Sequence, residues 1–115
     1  MRVYGLKNCD KVRAAMRALT AAGHAPELVD IREAPLEQVD IERFFEAFGA
    51  ALVNRRSTTW RQLSEQARQQ AETDPLPLLL EHPTLIKRPV IDKDGQVRLG
   101  FAAKEAEEIL AWLQE

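Results

Sequence analysis

Arg2-Val3-Tyr4-Gly5-Leu6-Lys7-Asn8-Cys9-Asp10-Lys11-Val12-Arg13 joins a short β-favouring run to the start of an amphipathic helix. The run Arg2 to Leu6 reads as a first strand ending near Gly5. Val12, Ala15, Met16 and Leu19 then fall at i, i+3, i+4 and i+7. That spacing predicts a helix from Asp10 to about Ala22 with one buried stripe, stopped by Gly23. Pro26 and Glu27-Leu28-Val29-Asp30-Ile31 predict a second strand. The result is a β-α-β opening whose crossover is long enough for parallel pairing.

Outward from this opening the pattern changes to helix. Ile41, Phe44, Phe45 and Phe48 repeat the helical spacing and Gly49 closes the segment. Trp60, Leu63 and Ala67 support another short helix. Asp74-Pro75 reads as an N-cap followed by proline at the first helical position, with Leu76, Leu78, Leu79 and Leu80 as an apolar turn or two. Pro77 is tolerable there because a first-turn amide has no intrahelical acceptor to lose.

The last third returns to strands. Pro89-Val90-Ile91, the turn Asp92-Lys93-Asp94-Gly95 and Gln96-Val97-Arg98-Leu99 predict a hairpin, with Gly95 taking a positive φ. Ala106, Ile109, Leu110 and Leu113 mark a final helix. The order β-α-β, helical insertion, β-β-α is the plan of an α/β thioredoxin-like fold with its middle enlarged. The sequence contains no internal repeat and no low-complexity linker, so a single domain over residues 1–115 is expected.

With 45% hydrophobic and 30% charged residues, the 115-residue chain has the composition of an ordinary folded domain. A net charge of −2 argues against nucleic-acid binding driven by bulk charge. No apolar stretch approaches the roughly 20 residues that cross a bilayer, and the first residues lack a secretory apolar core. One cysteine gives no disulfide framework, and a reactive thiol is best kept in a reducing compartment. The expected location is therefore the cytoplasm.

Cys9 is that cysteine, and a thiol at a strand-to-helix junction is a candidate nucleophile. The amides of a helix N-terminus favour a thiolate, Lys7 and Lys11 are close in sequence, and Arg13 lies one helical turn on. Asp10 works in the opposite direction unless it faces away. The competing reading is a small buried hydrophobe, which describes most free cysteines.

Leu85-Ile86-Lys87-Arg88-Pro89-Val90-Ile91 is the second informative stretch. A proline that opens a buried strand costs a ladder hydrogen bond, and a cis peptide at that point is one reason to keep it; an ordinary trans proline at a strand start is the other reading. Arg88 beside it is either a solvated charge or a guanidinium for a carboxylate or oxyanion.

Lys7-Asn8-Cys9-Asp10-Lys11-Val12-Arg13, Leu52-Val53-Asn54-Arg55-Arg56-Ser57-Thr58-Thr59-Trp60-Arg61-Gln62-Leu63, His82-Pro83-Thr84-Leu85-Ile86-Lys87-Arg88-Pro89 and Leu99-Gly100-Phe101 occur in this order. Together they resemble the arsenate reductase (ArsC)/Spx family, above all its YffB-like branch. The resemblance implies a thioredoxin-like fold with a helical insertion, a cis bond before Pro89 and catalysis by Cys9.

Two departures bear on activity. Glutathione-coupled arsenate reductases of this family add two arginines that hold the oxyanion, aligned with Asn54 and Phe101 here. Each lost charged hydrogen bond is worth about 1.5 to 3 kcal/mol, so arsenate reduction is the second reading. Spx-type regulators of RNA polymerase carry a Cys-x-x-Cys switch, and Val12 stands at the second cysteine's place. A polymerase-binding regulator without that switch is the third reading.

The first reading is a monothiol oxidoreductase. Cys9 attacks an oxidised sulfur or an electrophilic oxyanion and glutathione, a co-substrate rather than a bound cofactor, resolves the product. Cys9 and Arg13 are the expected catalytic residues; Lys7, Asn8, Arg56, Arg88 and Pro89 are expected to bind substrate or glutathione, with the backbone beside Pro89 pairing an extended peptide. His24 and His82 are far apart in sequence and form no metal-ligand pattern with Cys9, so no metal is expected. Trp60 and Phe101 are expected to pack rather than to line a groove, and Arg61 to Glu72 to form a solvated helix face.

Overall fold

In the computed structural model, which describes residues 1–34 and 36–114, Val3, Tyr4 and Gly5 of β1 (Arg2–Gly5) are buried in succession. Consecutive strand positions face opposite sides, so both faces of β1 are covered, as its central place in the sheet requires. The strand order is β2-β1-β3-β4, with β2 at Glu27–Asp30, β3 at Val90–Lys93 and β4 at Gln96–Leu99. β1 runs parallel to β2, Gly5 opposite Asp30, and antiparallel to β3, Tyr4 opposite Val90. β3 and β4 pair antiparallel through a two-residue turn at Asp94-Gly95. Both turn residues take positive φ, 54° and 87°, matching the right-handed twist of the strands.

Helix α1 (Asp10–Ala21) connects β1 to β2 and α6 (Ala103–Leu113) follows β4. Val12, Ala15 and Leu19 of α1 meet Ile109 and Leu113 of α6, together with Val3, Ile91 and Phe101, in one core. Burying each large aliphatic side chain contributes about 1.5 to 3 kcal/mol. Val12 is also packed over Gly5, where an added Cβ would collide with its methyl groups. This is the thioredoxin-like plan expected from the element order.

The chain divides into two compact units, Met1–Ala34 with Arg88–Glu115, and Pro35–Lys87. The second unit is the helical insertion: α2 (Gln38–Phe48), α3 (Thr58–Gln62), α4 (Glu65–Thr73) and α5 (Leu76–Glu81). α2 packs on α5, with Ile41, Phe44, Leu78 and Leu79 buried. An antiparallel bridge between Val53 and Ile86 ties its middle to its end, flanked by Asn54 N–H to Leu85 O and Lys87 N–H to Leu52 O, both at 2.7 Å.

Several boundaries differ from the sequence reading, each for a local reason. The single helix expected around Trp60 to Ala67 is two, because Leu63 is extended and the Ser64 hydroxyl accepts the Ala67 N–H at 3.1 Å as a new N-cap. The cap of α5 is Pro75 rather than Asp74. Asp74 is held extended before proline, and its carboxylate accepts the Leu76 N–H at 3.3 Å. β3 begins at Val90, one residue past the proline that has no N–H to give a ladder. Phe45 and Phe48 are half-buried, not core.

Candidate active site

Because β1 and β2 run parallel and β3 runs against them, the ends at Gly5 and Asp30 and the start at Val90 share one end of the sheet. Two segments emerge there within the first unit, the loop Leu6 to Cys9 and the peptide Arg88-Pro89.

Cys9 is the N-cap residue of α1, with φ −83° and ψ 126°. Its N–H donates to Leu6 O at 2.9 Å and its carbonyl accepts the Arg13 N–H at 3.0 Å, closing the loop onto the helix. The side chain makes no capping hydrogen bond and lies half-buried against the Val12 and Ala15 core. The first-turn amides of α1 have no intrahelical acceptors, so this is a place where backbone donors converge on an anion.

Two of the cations near Cys9 in sequence, Arg13 and Lys7, are engaged by carboxylates. Arg13 Nη2 donates to Asp10 Oδ1 at 2.8 Å, where the sequence alone left it free to approach the sulfur. Lys7 Nζ donates to Glu33 Oε1 at 2.6 Å, and that hydrogen bond and charge hold Lys7 above its ordinary 10.5. The backbone N–H of Lys7 donates to Asp30 Oδ2 at 3.1 Å, and Arg32 N–H to Asp30 Oδ1 at 2.9 Å. Those two bonds hold the Asp30 carboxyl below its ordinary 3.8. Asn8 is exposed in the loop.

The Arg88-Pro89 peptide is cis, as the resemblance implies, and Pro89 is fully buried. Its carbonyl accepts the N–H of Gly100 at 2.8 Å, fixing it to the end of β4; Gly100 takes φ +84° there. Arg88 is half-buried, and its Nε is buried with no hydrogen-bond partner.

Thus Lys7, Asn8, Cys9, Arg13, Arg88 and Pro89 all belong to the first unit, and the sheet order brings their two segments to one end of it. Arg56 belongs to the helical unit, exposed, with its N–H bound to Asn54 Oδ1 at 3.1 Å. Asn54 orders that turn, since its carbonyl also accepts the Ser57 N–H at 3.2 Å and hydroxyl at 2.8 Å. Phe101 is 8% exposed and forms part of the first unit's core, so the position holds an apolar ring. Trp60 is half-buried, with the Arg55 guanidinium 5.7 Å from its ring centre. Among the described residues no group of three or more His, Cys, Asp or Glu is arranged to hold a metal ion, and no helix is long and apolar enough to cross a membrane.

Sequence reasoning missed Asp30, Glu33 and the Asp10 partner of Arg13. One signal was present: Asp30 interrupts the apolar run Leu28-Val29-Asp30-Ile31, and a carboxylate there must find donors.

Residues 4–109 match the sequence model of the ArsC family. The chain belongs to the ArsC family. An uncharacterized protein of Haemophilus influenzae is 44% identical over 105 residues, covering 90% of this chain and 92% of that one. The solved structure of the YffB (PA3664) protein is 28% identical with a TM-score of 0.83, covering 95% of this chain and 97% of that one. An arsenate reductase (ArsC) related protein from Brucella melitensis is 31% identical with a TM-score of 0.73, covering 93% and 91%. Membership places the chain in an arsenate reductase and thiol reductase family with a thioredoxin-like fold.

Proposed function

We propose that this ArsC-family protein is a monothiol oxidoreductase that uses Cys9 as nucleophile and glutathione as the second thiol. The observation that carries the reading is the pairing of a half-buried cysteine at the N-cap of α1 with a fully buried valine at position 12. The first-turn amides offer donors to an anion beside the sulfur, and the sequence holds no other thiol to resolve a disulfide formed there.

In the first step the Cys9 thiolate attacks one sulfur of a substrate disulfide; the S–S bond breaks, a mixed disulfide forms and the other sulfur leaves as thiolate. A glutathione thiolate then attacks Cys9 Sγ, releasing the second substrate thiol and leaving Cys9 joined to glutathione. A second glutathione attacks the glutathione sulfur of that bond, returning Cys9 thiolate and oxidised glutathione. Overall two glutathiones lose two electrons and one disulfide gains them.

Glutathione brings two carboxylates to this site. Arg88 is half-buried beside Pro89, and the accessible part of its guanidinium is the group that would meet one of them. Arg13 reaches another by exchanging the exposed Asp10, a surface pair worth about 0.3 to 0.5 kcal/mol. Lys7 and Asn8 precede Cys9 in the exposed loop, and the backbone at Arg88-Pro89 offers peptide groups to an extended ligand. Such chemistry suits a reducing compartment such as the cytoplasm.

The test is mass measurement after incubation with oxidised glutathione. A glutathione adduct that forms on Cys9, is released by reduced glutathione and is absent from Cys9→Ser supports the proposal. A native thiol that takes no adduct sinks it.

Arsenate reduction is the second reading, favoured by family membership and by the partnerless Arg88 Nε. Asn54 and Phe101 weigh against it, one spent on a turn and the other on the core. Arsenate-dependent oxidation of glutathione, coupled to NADPH consumption through a disulfide reductase, decides between the two. Binding to RNA polymerase subunits without either chemistry would favour a regulator.

A further inference from the structure

We infer that Asp30 is a positioning residue for Cys9, a buried carboxylate whose task is to hold the loop that presents the sulfur. The inference rests on the reading of Cys9 as the reactive group. Among the described residues Asp30 is the one charged residue that is buried, at 9% exposure. Burying a carboxylate costs free energy unless its oxygens find donors. Both do: Oδ2 takes the Lys7 N–H at 3.1 Å and Oδ1 takes the Arg32 N–H at 2.9 Å.

The first of these bonds spans 23 residues in sequence and two neighbouring strands. Gly5, the last residue of β1, faces Asp30, the last residue of β2, and Ile31 N–H closes the pair on Gly5 O at 2.9 Å. The loop therefore leaves β1 beside a fixed carboxylate. Lys7 is anchored to it by backbone, two residues before Cys9, and by its ammonium to Glu33 in the turn that Asp30 organises. The Asp30 carbonyl accepts Glu33 N–H at 3.1 Å and Ala34 N–H at 2.8 Å, so the residue that binds the Lys7 N–H also orders the turn that carries Glu33. From Lys7 the chain reaches the Cys9 N–H, bound to Leu6 O. With these tethers, the path from Gly5 to the first turn of α1 is specified at both ends. Thiol–disulfide exchange needs the attacking sulfur in line with the S–S bond, and small misplacements of a reacting atom cost large factors in rate.

The experiment has two arms. In the wild-type protein, amide hydrogen exchange is expected to be slow at Lys7 and fast at its exposed neighbour Asn8. Equal exchange at the two overturns the tether. In the second arm, the rate of Cys9 with dithiobis-nitrobenzoate, a small disulfide, is compared for wild type, Asp30→Asn and Asp30→Ala at one pH, with circular dichroism confirming the fold. Positioning predicts a fall of about tenfold in Asp30→Ala and a smaller fall in Asp30→Asn, which keeps one acceptor oxygen. Unchanged rates overturn the inference. So do rates that rise, the result expected from simply removing a negative charge or from loosening the fold. A wild-type protein that reacts with this probe but not with oxidised glutathione would reject the proposed function and leave the role of Asp30 standing.

Discussion

Arg13 donates to Asp10 at 2.8 Å within the first turn of the helix that Cys9 caps. The carboxylate side chain is 95% exposed and the guanidinium 56%, so the pair is held in water and exchanges its partner cheaply. Under the proposed function, an anionic substrate would compete for Arg13 on nearly equal terms. Asp10→Asn is expected to raise the rate of Cys9 with oxidised glutathione about two- to threefold, and Arg13→Ala to lower it about tenfold, consistent with losing a charge-assisted contact. With the neutral disulfide of cystamine's diacetyl derivative, which has no carboxylate, Arg13→Ala is expected to cost much less; stopped-flow rates on both disulfides check this.

Gly5 sits under Val12, whose methyl groups leave no space for a Cβ. Val12 is fully buried and cannot step aside into solvent. Gly5→Ala is therefore expected to destabilise the protein by about 1 to 3 kcal/mol through overpacking, read as a lower urea midpoint with an unchanged slope.

Acid affects stability through Asp30. Its folded-state ionisation is depressed below 3.8, chiefly by the Lys7 N–H, so its charged form adds stability that is present above that value and lost as pH falls through the lower folded value. Lys7 works in the opposite sense, with a contribution complete below 10.5 and lost as pH rises through its higher folded value. Urea midpoints measured across the acid range are expected to fall more shallowly below 3.8 in Asp30→Asn than in wild type. Parallel acid limbs in the two proteins would contradict this.

Adding the arginines that arsenate reductases carry has different costs at the two aligned positions. Phe101→Arg puts a charge into a core site that is 8% exposed and is expected to destabilise by at least about 3 kcal/mol. Asn54→Arg sacrifices only the turn bond to the Arg56 N–H and is expected to cost about 1 kcal/mol. Thermal unfolding of the two variants checks the ordering.

The fold was legible where periodicity and punctuation agreed. Val12, Ala15 and Leu19 are the buried stripe of α1, and Gly23 at φ 92° ends it as expected. Gly95 at positive φ and the placement of Phe101 in the core were also readable. The turn is shorter than the expected Asp92 to Gly95, since Asp92 and Lys93 still pair in β3, and the cis Arg88-Pro89 peptide was implied only by the family resemblance. What escaped depends on contacts between segments distant in sequence or on competing local caps. No pattern in Lys7-Asn8-Cys9 announces that Asp30 will bind it, because that bond follows from strand register. The split at Leu63-Ser64 turned on a serine whose capping strength outweighed an apolar spacing. Of the site, the sulfur and its helix were visible; the carboxylates that restrain its cations were not.

Val12 fills the place of a second thiol and is sealed against Gly5. Any disulfide that Cys9 forms therefore joins two molecules. A thiol in the same chain attacks at an effective concentration fixed by geometry, far above that of solutes. A thiol from solution attacks only at its actual concentration. Under the proposed function, the rate at which Cys9 is restored would scale with the thiol supply around the protein, and its oxidised fraction would gauge that supply rather than a property set by the fold.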